Sequence, residues 1–346
     1  MSLLQVEEPI SAGILLTYKC ICECKHCMYA SSPKWENHWM DINDLDLILR
    51  KLANYFSKKY PTGIKGVLGI NYGLHLTGGE PFLNFKLLVK SIKLAKKYKI
   101  PSLFVETNCF WCIDDNSTEQ KLAKLKENGL DGILISANPF LVECIPFERI
   151  KRGIKYSKKV FGEENVMVYH PIFYKQLVEL GVKGTLKFEE YLSKVSRFSL
   201  RLALSPMVVL PMGRAVYRLA YIYRKYPAKY FFKESCIYDL TRSWHIHIDC
   251  YNNYIPGYCA GLSLGDAKKM EDIIQGVELD DRPILKALAK NLGELFNFAT
   301  KEFGYKEKKD GYISKCHLCL DIRKYIVSLI KEFKELKPLE FYQHLS

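Results

Sequence analysis

Across residues 1–205, short runs rich in β-branched and aromatic residues alternate with longer amphipathic stretches, and this alternation constrains the fold more than any other feature. Two parallel strands need a crossover long enough to hold a helix, so repeated strand–helix units predict one parallel sheet with helices packed on it. Strands are expected at Gly13–Thr17, Leu74–Thr77, Leu103–Thr107, Gly132–Ser136, Val166–His170 and Leu200–Leu204. Helices are expected after the capping residues Asp41, Asn84 and Asn116, with Gly129 stopping the third. Leu45, Ile48, Leu49 and Leu52 recur at the spacing of one apolar helical face.

Six such units predict an α/β chain built on a partial (β/α)6, TIM-like barrel, with functional loops after the C-terminal ends of the strands. After Pro-Met-Gly-Arg-Ala at 211–215 the pattern changes to a tyrosine-rich helix, a short strand through Trp-His-Ile-His-Ile-Asp, and helices to the end. A barrel over 1–215 and a smaller, mostly helical domain over 216–346 are therefore expected.

Hydrophobic residues make up 48% and charged residues 26%, enough to bury a core and unlike a disordered chain. Glu7 and Glu8 interrupt the first apolar run, and no segment reaches the length of a membrane span, so a signal peptide and a membrane partner are not expected and the cytoplasm is the expected compartment. The net charge of +13 fits a lysine-rich solvated surface or an acidic partner. Twelve cysteines in a long chain without an export signal, grouped at ligand spacings, point to metal rather than disulfides.

The densest chemical signal is Leu-Leu-Thr-Tyr-Lys-Cys-Ile-Cys-Glu-Cys-Lys-His-Cys, which places Cys20, Cys24 and Cys27 at C-x3-C-x2-C directly after the first strand. Three thiolates from one loop hold three irons of a cubane and leave the fourth open. A structural zinc knuckle and a ferredoxin-like carrier are the alternatives, but zinc favours paired C-x2-C elements and a small carrier needs no barrel. Cys22 lies inside the loop and is read as a non-ligand. The second strand runs into Gly78-Gly79-Glu80, the third into Thr107-Asn108-Cys109 and the fourth ends at Ser136.

These motifs resemble the radical S-adenosylmethionine (SAM) superfamily, with its cysteine loop after strand one and its GGE motif after strand two. The resemblance implies a [4Fe–4S] cluster on Cys20, Cys24 and Cys27, SAM as cosubstrate, and an external one-electron donor such as flavodoxin or ferredoxin. It implies SAM contacts from His26, Gly78, Gly79, Glu80, Asn108, Ser136 and Arg214, with Glu80 accepting from the SAM ammonium and Arg214 reaching a carboxylate or forming a surface salt bridge. Cys109 stands where relatives have glycine; with Cys112 it is either a packed pair or a second ligand or redox pair.

Cys236, Cys250, Cys259, Cys316 and Cys319 resemble the auxiliary-cluster extensions of the superfamily, called SPASM or, when shorter, twitch. Five thiols fully ligate one four-iron cluster, so a second [4Fe–4S] cluster on Cys236, Cys259, Cys316 and Cys319 is expected, with Cys250 spare and structural zinc as the alternative. His245, His247 and Asp249 alternate along one strand and share a face, as a polar wall of the substrate cavity that handles protons, a non-heme iron site or a plain solvent-exposed face.

The resemblance implies hydrogen abstraction from a peptide or protein side chain. An anionic metabolite or nucleotide is the alternative, and a non-catalytic iron–sulfur electron-transfer protein a further one. The chain runs straight into strand one, so a leader-peptide recognition domain would be supplied by another protein. No nucleic-acid module is visible, so nucleic acid is not an expected partner.

Overall fold

The computed structural model describes residues 2–61, 68–330 and 332–346. Its strands are β1 (Leu3–Leu4), β2 (Ser11–Leu15), β3 (Gly73–Thr77), β4 (Leu103–Thr107), β5 (Gly132–Ser136), β6 (Val166–Tyr169), β7 (Ile246–Ile248), β8 (Tyr254–Ile255) and β9 (Val277–Glu278). Seven of them form one sheet in the order β6-β5-β4-β3-β2-β7-β8. Every pairing from β6 through to β7 is parallel, and β8 closes the edge antiparallel to β7. The sheet is open, as expected for a partial barrel, because β6 and β8 end it without pairing to each other.

Helices Ile42–Lys59, Phe85–Lys97, Asp115–Glu127 and Phe147–Phe161 provide the crossovers. Leu45, Ile48, Leu49 and Leu52 are all buried on the first. Asp41 caps that helix by accepting from the backbone N–H groups of Asn43 and Asp44, and Asn84 caps the second by accepting from Leu87. The third helix starts earlier than expected: Asp114, in extended backbone, accepts from the N–H of Ser117, whereas Asn116 lies inside the first turn and accepts from Gln120. Gly129, at φ +103°, follows the end of this helix as expected.

The expected strand at Leu200–Leu204 is instead the end of helix Arg197–Ala203 with its C-cap, started by the Ser196 hydroxyl accepting from Ser199. An apolar run this short has no period that separates strand from helix, and here Phe198 and Leu202 face solvent. The sixth parallel strand is β7, which pairs with β2 from beyond residue 215. Without β7 the central β2 would be a bare sheet edge, so both sides of the change at 215 build the same sheet.

Past this point, helices Pro283–Lys290 and Lys315–Leu329 pack against Leu292–Phe303, and β1 pairs with β9 to tie the N-terminal segment to this region. Among the described residues, no helix is long and apolar enough to cross a membrane.

Register stacks the inner face in levels. Gly13 is opposite His75 on one side and His247 on the other, and His75 is opposite Phe104. Thr77 and Glu106 lie two residues further on the same face of β3 and β4, since side chains alternate along a strand.

Candidate active site

The loop after β2 places Cys20, Cys24 and Cys27 on the wall of a cavity of about 260 Å³ at the C-terminal ends of the parallel strands. Their sulfurs do not converge within 4.8 Å, whereas a zinc ion at about 2.3 Å from each sulfur would draw them to within about 4 Å of one another. Three soft donors from one loop fit a cubane cluster. Cys22 also borders the cavity, and its backbone N–H donates to the Cys20 sulfur at 3.4 Å.

The backbone around 213 fixes this loop. Gly213 has φ +57°, and a Cβ there would lie 2.3 Å from the Met28 carbonyl oxygen. Arg214 is fully buried and donates from Nη1 to the Cys24 carbonyl (2.9 Å), from Nη2 to those of Ala30 (2.6 Å) and Ser31 (3.1 Å), and from Nε to that of His344 (3.0 Å). Its backbone N–H donates to the Cys27 carbonyl at 2.9 Å. The expected contact to a carboxylate, or a surface salt bridge, is thus replaced by a clamp on the carbonyls of the cysteine loop. The guanidinium spends its donors there because a tight loop leaves carbonyls that no regular structure satisfies.

The glycine pair after β3 presses on the same loop. A Cβ on Gly79 would sit 1.9 Å from the Lys19 carbonyl oxygen, and one on Gly78 2.3 Å from that of Thr17. These glycines admit a close approach of backbone to backbone, sealed by Gly79 N–H to Thr17 (2.7 Å) and Glu80 N–H to Lys19 (3.0 Å), while both still line the cavity. Glu80 is fully buried and accepts from the N–H of Phe82 (3.1 Å), the Thr107 hydroxyl (3.0 Å) and the N–H of Asn108 (2.8 Å). Burial pushes its carboxyl up to about 7 against these hydrogen bonds. It stitches the loop after β3 to the loop after β4 and does not line the cavity, so the expected contact with an ammonium is replaced by an internal brace.

Asn108 faces the cavity with its amide 3.7 Å from the Cys20 sulfur, and Ser136 faces it from the end of β5. His26 lines the same space, stacked on Phe140 with ring centroids 4.7 Å apart, and burial lowers it to about 3, so it is a neutral aromatic surface at pH 7. The cysteine loop, the GGE turn and these strand-end residues meet around one cavity over an open parallel sheet. This gathering of motifs around one cavity resembles the arrangement expected from the radical SAM superfamily.

Cys109, in the position that superfamily relatives fill with glycine, has φ +61°, which explains the usual residue. Cys109 and Cys112 are fully buried beneath Gly153 and reach neither thiol cavity.

Cys236, Cys259, Cys316 and Cys319 line a second cavity of about 150 Å³, whereas Cys250 is buried elsewhere. Four thiols on one cavity wall are a donor set that suits a four-iron cluster and equally a zinc ion. Lys315 and Arg323 border the cavity, placing two cations beside thiolates that a cluster would hold. Tyr258 lines both cavities, and Gly213, which touches Cys27 and Met28, lines the second.

His245 and His247 face the first cavity, but Asp249 does not join them. Asp249 is fully buried, accepting from the Tyr18 hydroxyl (2.9 Å) and from the N–H groups of Tyr251 and Asn253. The residue that does join them is His75, missed because it lies on a different strand and only register brings it there. Glu106, Tyr169 and Tyr258 are further cavity residues that carried no motif in the sequence.

No family model matches the chain. Over 153 residues, 43% of this chain and 42% of the relative, it is 23% identical to the putative peptide biosynthesis protein YydG of Bacillus subtilis (strain 168), so the match spans less than half of that relative's length. Solved structures similar to it include BtrN in complex with AdoMet and 2-DOIA, at TM-score 0.41 and 13% identity over 83% of this chain and 90% of that one. Others are anSMEcpe with bound AdoMet (0.40, 15%, 78% and 81%) and Streptococcus suis SuiB bound to precursor peptide SuiA (0.34, 12%, 90% and 76%).

Proposed function

We propose that this chain is a radical SAM enzyme that abstracts hydrogen from a peptide or protein side chain in the cytoplasm. The observation that carries the reading is the single cavity onto which Cys20, Cys24, Cys27, Gly78, Gly79, Asn108 and Ser136 all open. When bound, a [4Fe–4S] cluster on the three cysteines supplies the electron, taken from an external donor such as flavodoxin or ferredoxin, that cleaves SAM to methionine and a 5′-deoxyadenosyl radical.

The protein's own residues hold that chemistry in place. Arg214 keeps the cysteine loop closed, Gly78 and Gly79 give the loop after β3 its approach to it, and Glu80 braces that loop against the one after β4. Asn108 and Ser136 offer polar atoms to the ribose or carboxylate, and His26 offers a neutral ring to the adenine. Tyr258, His245 and Glu106 wall the rest of the cavity and face the substrate.

A second cluster on Cys236, Cys259, Cys316 and Cys319 belongs to the same proposal. With all four thiolates on the metal it would supply a relay or a structural element, and Tyr258 lines both cavities. The partial match to a putative peptide biosynthesis protein supports the peptide reading over an anionic metabolite.

The test is anaerobic incubation of the reconstituted protein with SAM, a reductant and deuterated peptide pools. Production of 5′-deoxyadenosine carrying deuterium supports both parts, and deoxyadenosine without deuterium from any peptide sinks the substrate assignment. No cleavage of SAM at all sinks the enzyme. Iron of about eight per chain is expected with both clusters, against about four if the second site takes zinc.

A further inference from the structure

Three imidazoles meet beneath the first cavity, and the sheet is built to let them. Gly13 is flanked in register by His75 on β3 and His247 on β7, and a Cβ on Gly13 would lie 2.2 Å from His75 Nε2 and 2.5 Å from His247 Cδ2. The missing side chain of the central strand is the space the two rings occupy. His245, just ahead of β7, completes the group, and one ring nitrogen from each of the three lies within 4.8 Å of the others. Among the described residues, this is the one set of three or more His, Cys, Asp or Glu side chains that converges so tightly.

The hydrogen-bond partners fix the tautomers of two rings. His245 Nδ1 is 3.0 Å from the Ile70 carbonyl oxygen, and His247 Nδ1 is 3.0 Å from that of Gly257. A carbonyl only accepts, so each Nδ1 carries the hydrogen and each Nε2 keeps its lone pair. This is the outer-sphere arrangement that orients metal-binding histidines. His75 Nε2 is buried with no hydrogen-bond partner, its nearest carboxylate being Glu106 Oε1 at 3.6 Å. Two rings thus keep an Nε2 lone pair and the third has a buried, unpartnered Nε2, and one ring nitrogen of each converges on a point that a cation would satisfy.

Glu106, whose Oε2 accepts from the Thr77 hydroxyl at 2.8 Å, lies beside the group and lines the cavity.

We propose that His75, His245 and His247 bind one divalent transition-metal ion of the zinc or iron(II) class at the floor of the cavity, with Glu106 as the adjacent carboxylate. Imidazole donors select these borderline ions over calcium or magnesium. Three protein nitrogens leave coordination positions directed at the cavity, where water or an oxygen or nitrogen atom of the substrate completes the set. The ion would anchor the substrate from below while the SAM side of the cavity lies above it at the strand ends. None of this depends on SAM chemistry, so the two readings stand or fall separately.

The test uses the cluster-loaded protein, whose cysteines are then occupied. It is titrated anaerobically with Zn²⁺, desalted and examined at the zinc absorption edge. The expected result is about one retained zinc per chain, with nitrogen or oxygen neighbours at about 2.0–2.1 Å, imidazole scattering and no sulfur shell. A double variant, His75→Gln with His247→Gln, is expected to bind that zinc roughly 100-fold more weakly or worse. A sulfur shell at about 2.3 Å, or no retained zinc in the wild type, overturns the proposal. So does a double variant that keeps its iron and still binds zinc as the wild type does. Should the double variant fail to take up iron, the wild-type spectrum decides alone.

Discussion

Arg214 shows how a single side chain makes the site possible without being chemically spent in it. Its planar fork reaches carbonyls of Cys24, Ala30, Ser31 and His344 at once, and a lysine, with a compact ammonium on a flexible stem, cannot span them. Arg214→Lys is expected to leave buried carbonyls unpaired at a cost of about 3 kcal/mol and to reduce the iron bound per chain at least twofold. Iron analysis with a thermal melt checks both. Gly79→Ala is a sharper probe, because its Cβ would strike the Lys19 carbonyl. SAM cleavage is expected to fall at least tenfold while the circular dichroism spectrum is retained; an unchanged rate would show that the close approach is not needed. That the thiols of the first loop share one cavity wall was legible from their spacing, because C-x3-C-x2-C keeps all three in a single loop after a strand. The function of Arg214 was not, since nothing local in Pro-Met-Gly-Arg-Ala says where the guanidinium points. His75 was invisible for the same reason: sequence shows periodicity along one strand, so Asp249 was grouped with His245 and His247, whereas the true neighbour lies two strands across through Gly13.

At the level of elements, five of the six expected strands formed with ends shifted by at most two residues, because each sits between turn residues and an amphipathic helix. The sixth failed because Leu-Arg-Leu-Ala-Leu carries too few residues for its period to choose, and the Ser196 cap chose helix. The strand that replaced it, Ile246–Ile248, was seen as a strand but assigned to a separate region, since chain order says little about which sheet edge a late strand joins. This has a testable consequence. A fragment of residues 1–215 lacks β7 and leaves β2 with an unpaired edge in the middle of what was the sheet. It is expected to aggregate, or to exchange its β2 and β3 amides rapidly, while the full chain protects them; hydrogen exchange distinguishes the outcomes. A protected, monomeric fragment would show that the first region is self-sufficient.

For the molecule as a whole, acid is the expected weakness of the cluster-free protein. Burial lowers His26 to about 3 and His170, His245 and His317 to about 4, so each takes up a proton on unfolding below its ordinary value of 6.5. Such groups contribute stability that is present above pH 6.5 and lost as pH falls toward 4, about 2 kcal/mol each between pH 7 and pH 5. Glu80 and Glu106, raised to about 7, act in the opposite sense over the same range by a similar amount each. His75 and His247 add to the first group, and Asp249 and Glu335 to the second. With the histidines in the majority, the urea midpoint is expected to be lower at pH 5 than at pH 7, and the reverse order would show that the carboxyls dominate. One further consequence concerns biosynthesis. The clamp on the cysteine loop near residue 20 draws its donors from residue 214, whose Nε is in turn anchored on the carbonyl of His344, and the ring of His344 stacks on Trp35 at 4.7 Å. A nascent chain emerging from the ribosome therefore lacks the clamp on its first loop until residue 214 has been made, and the last anchor of that clamp until residue 344 has.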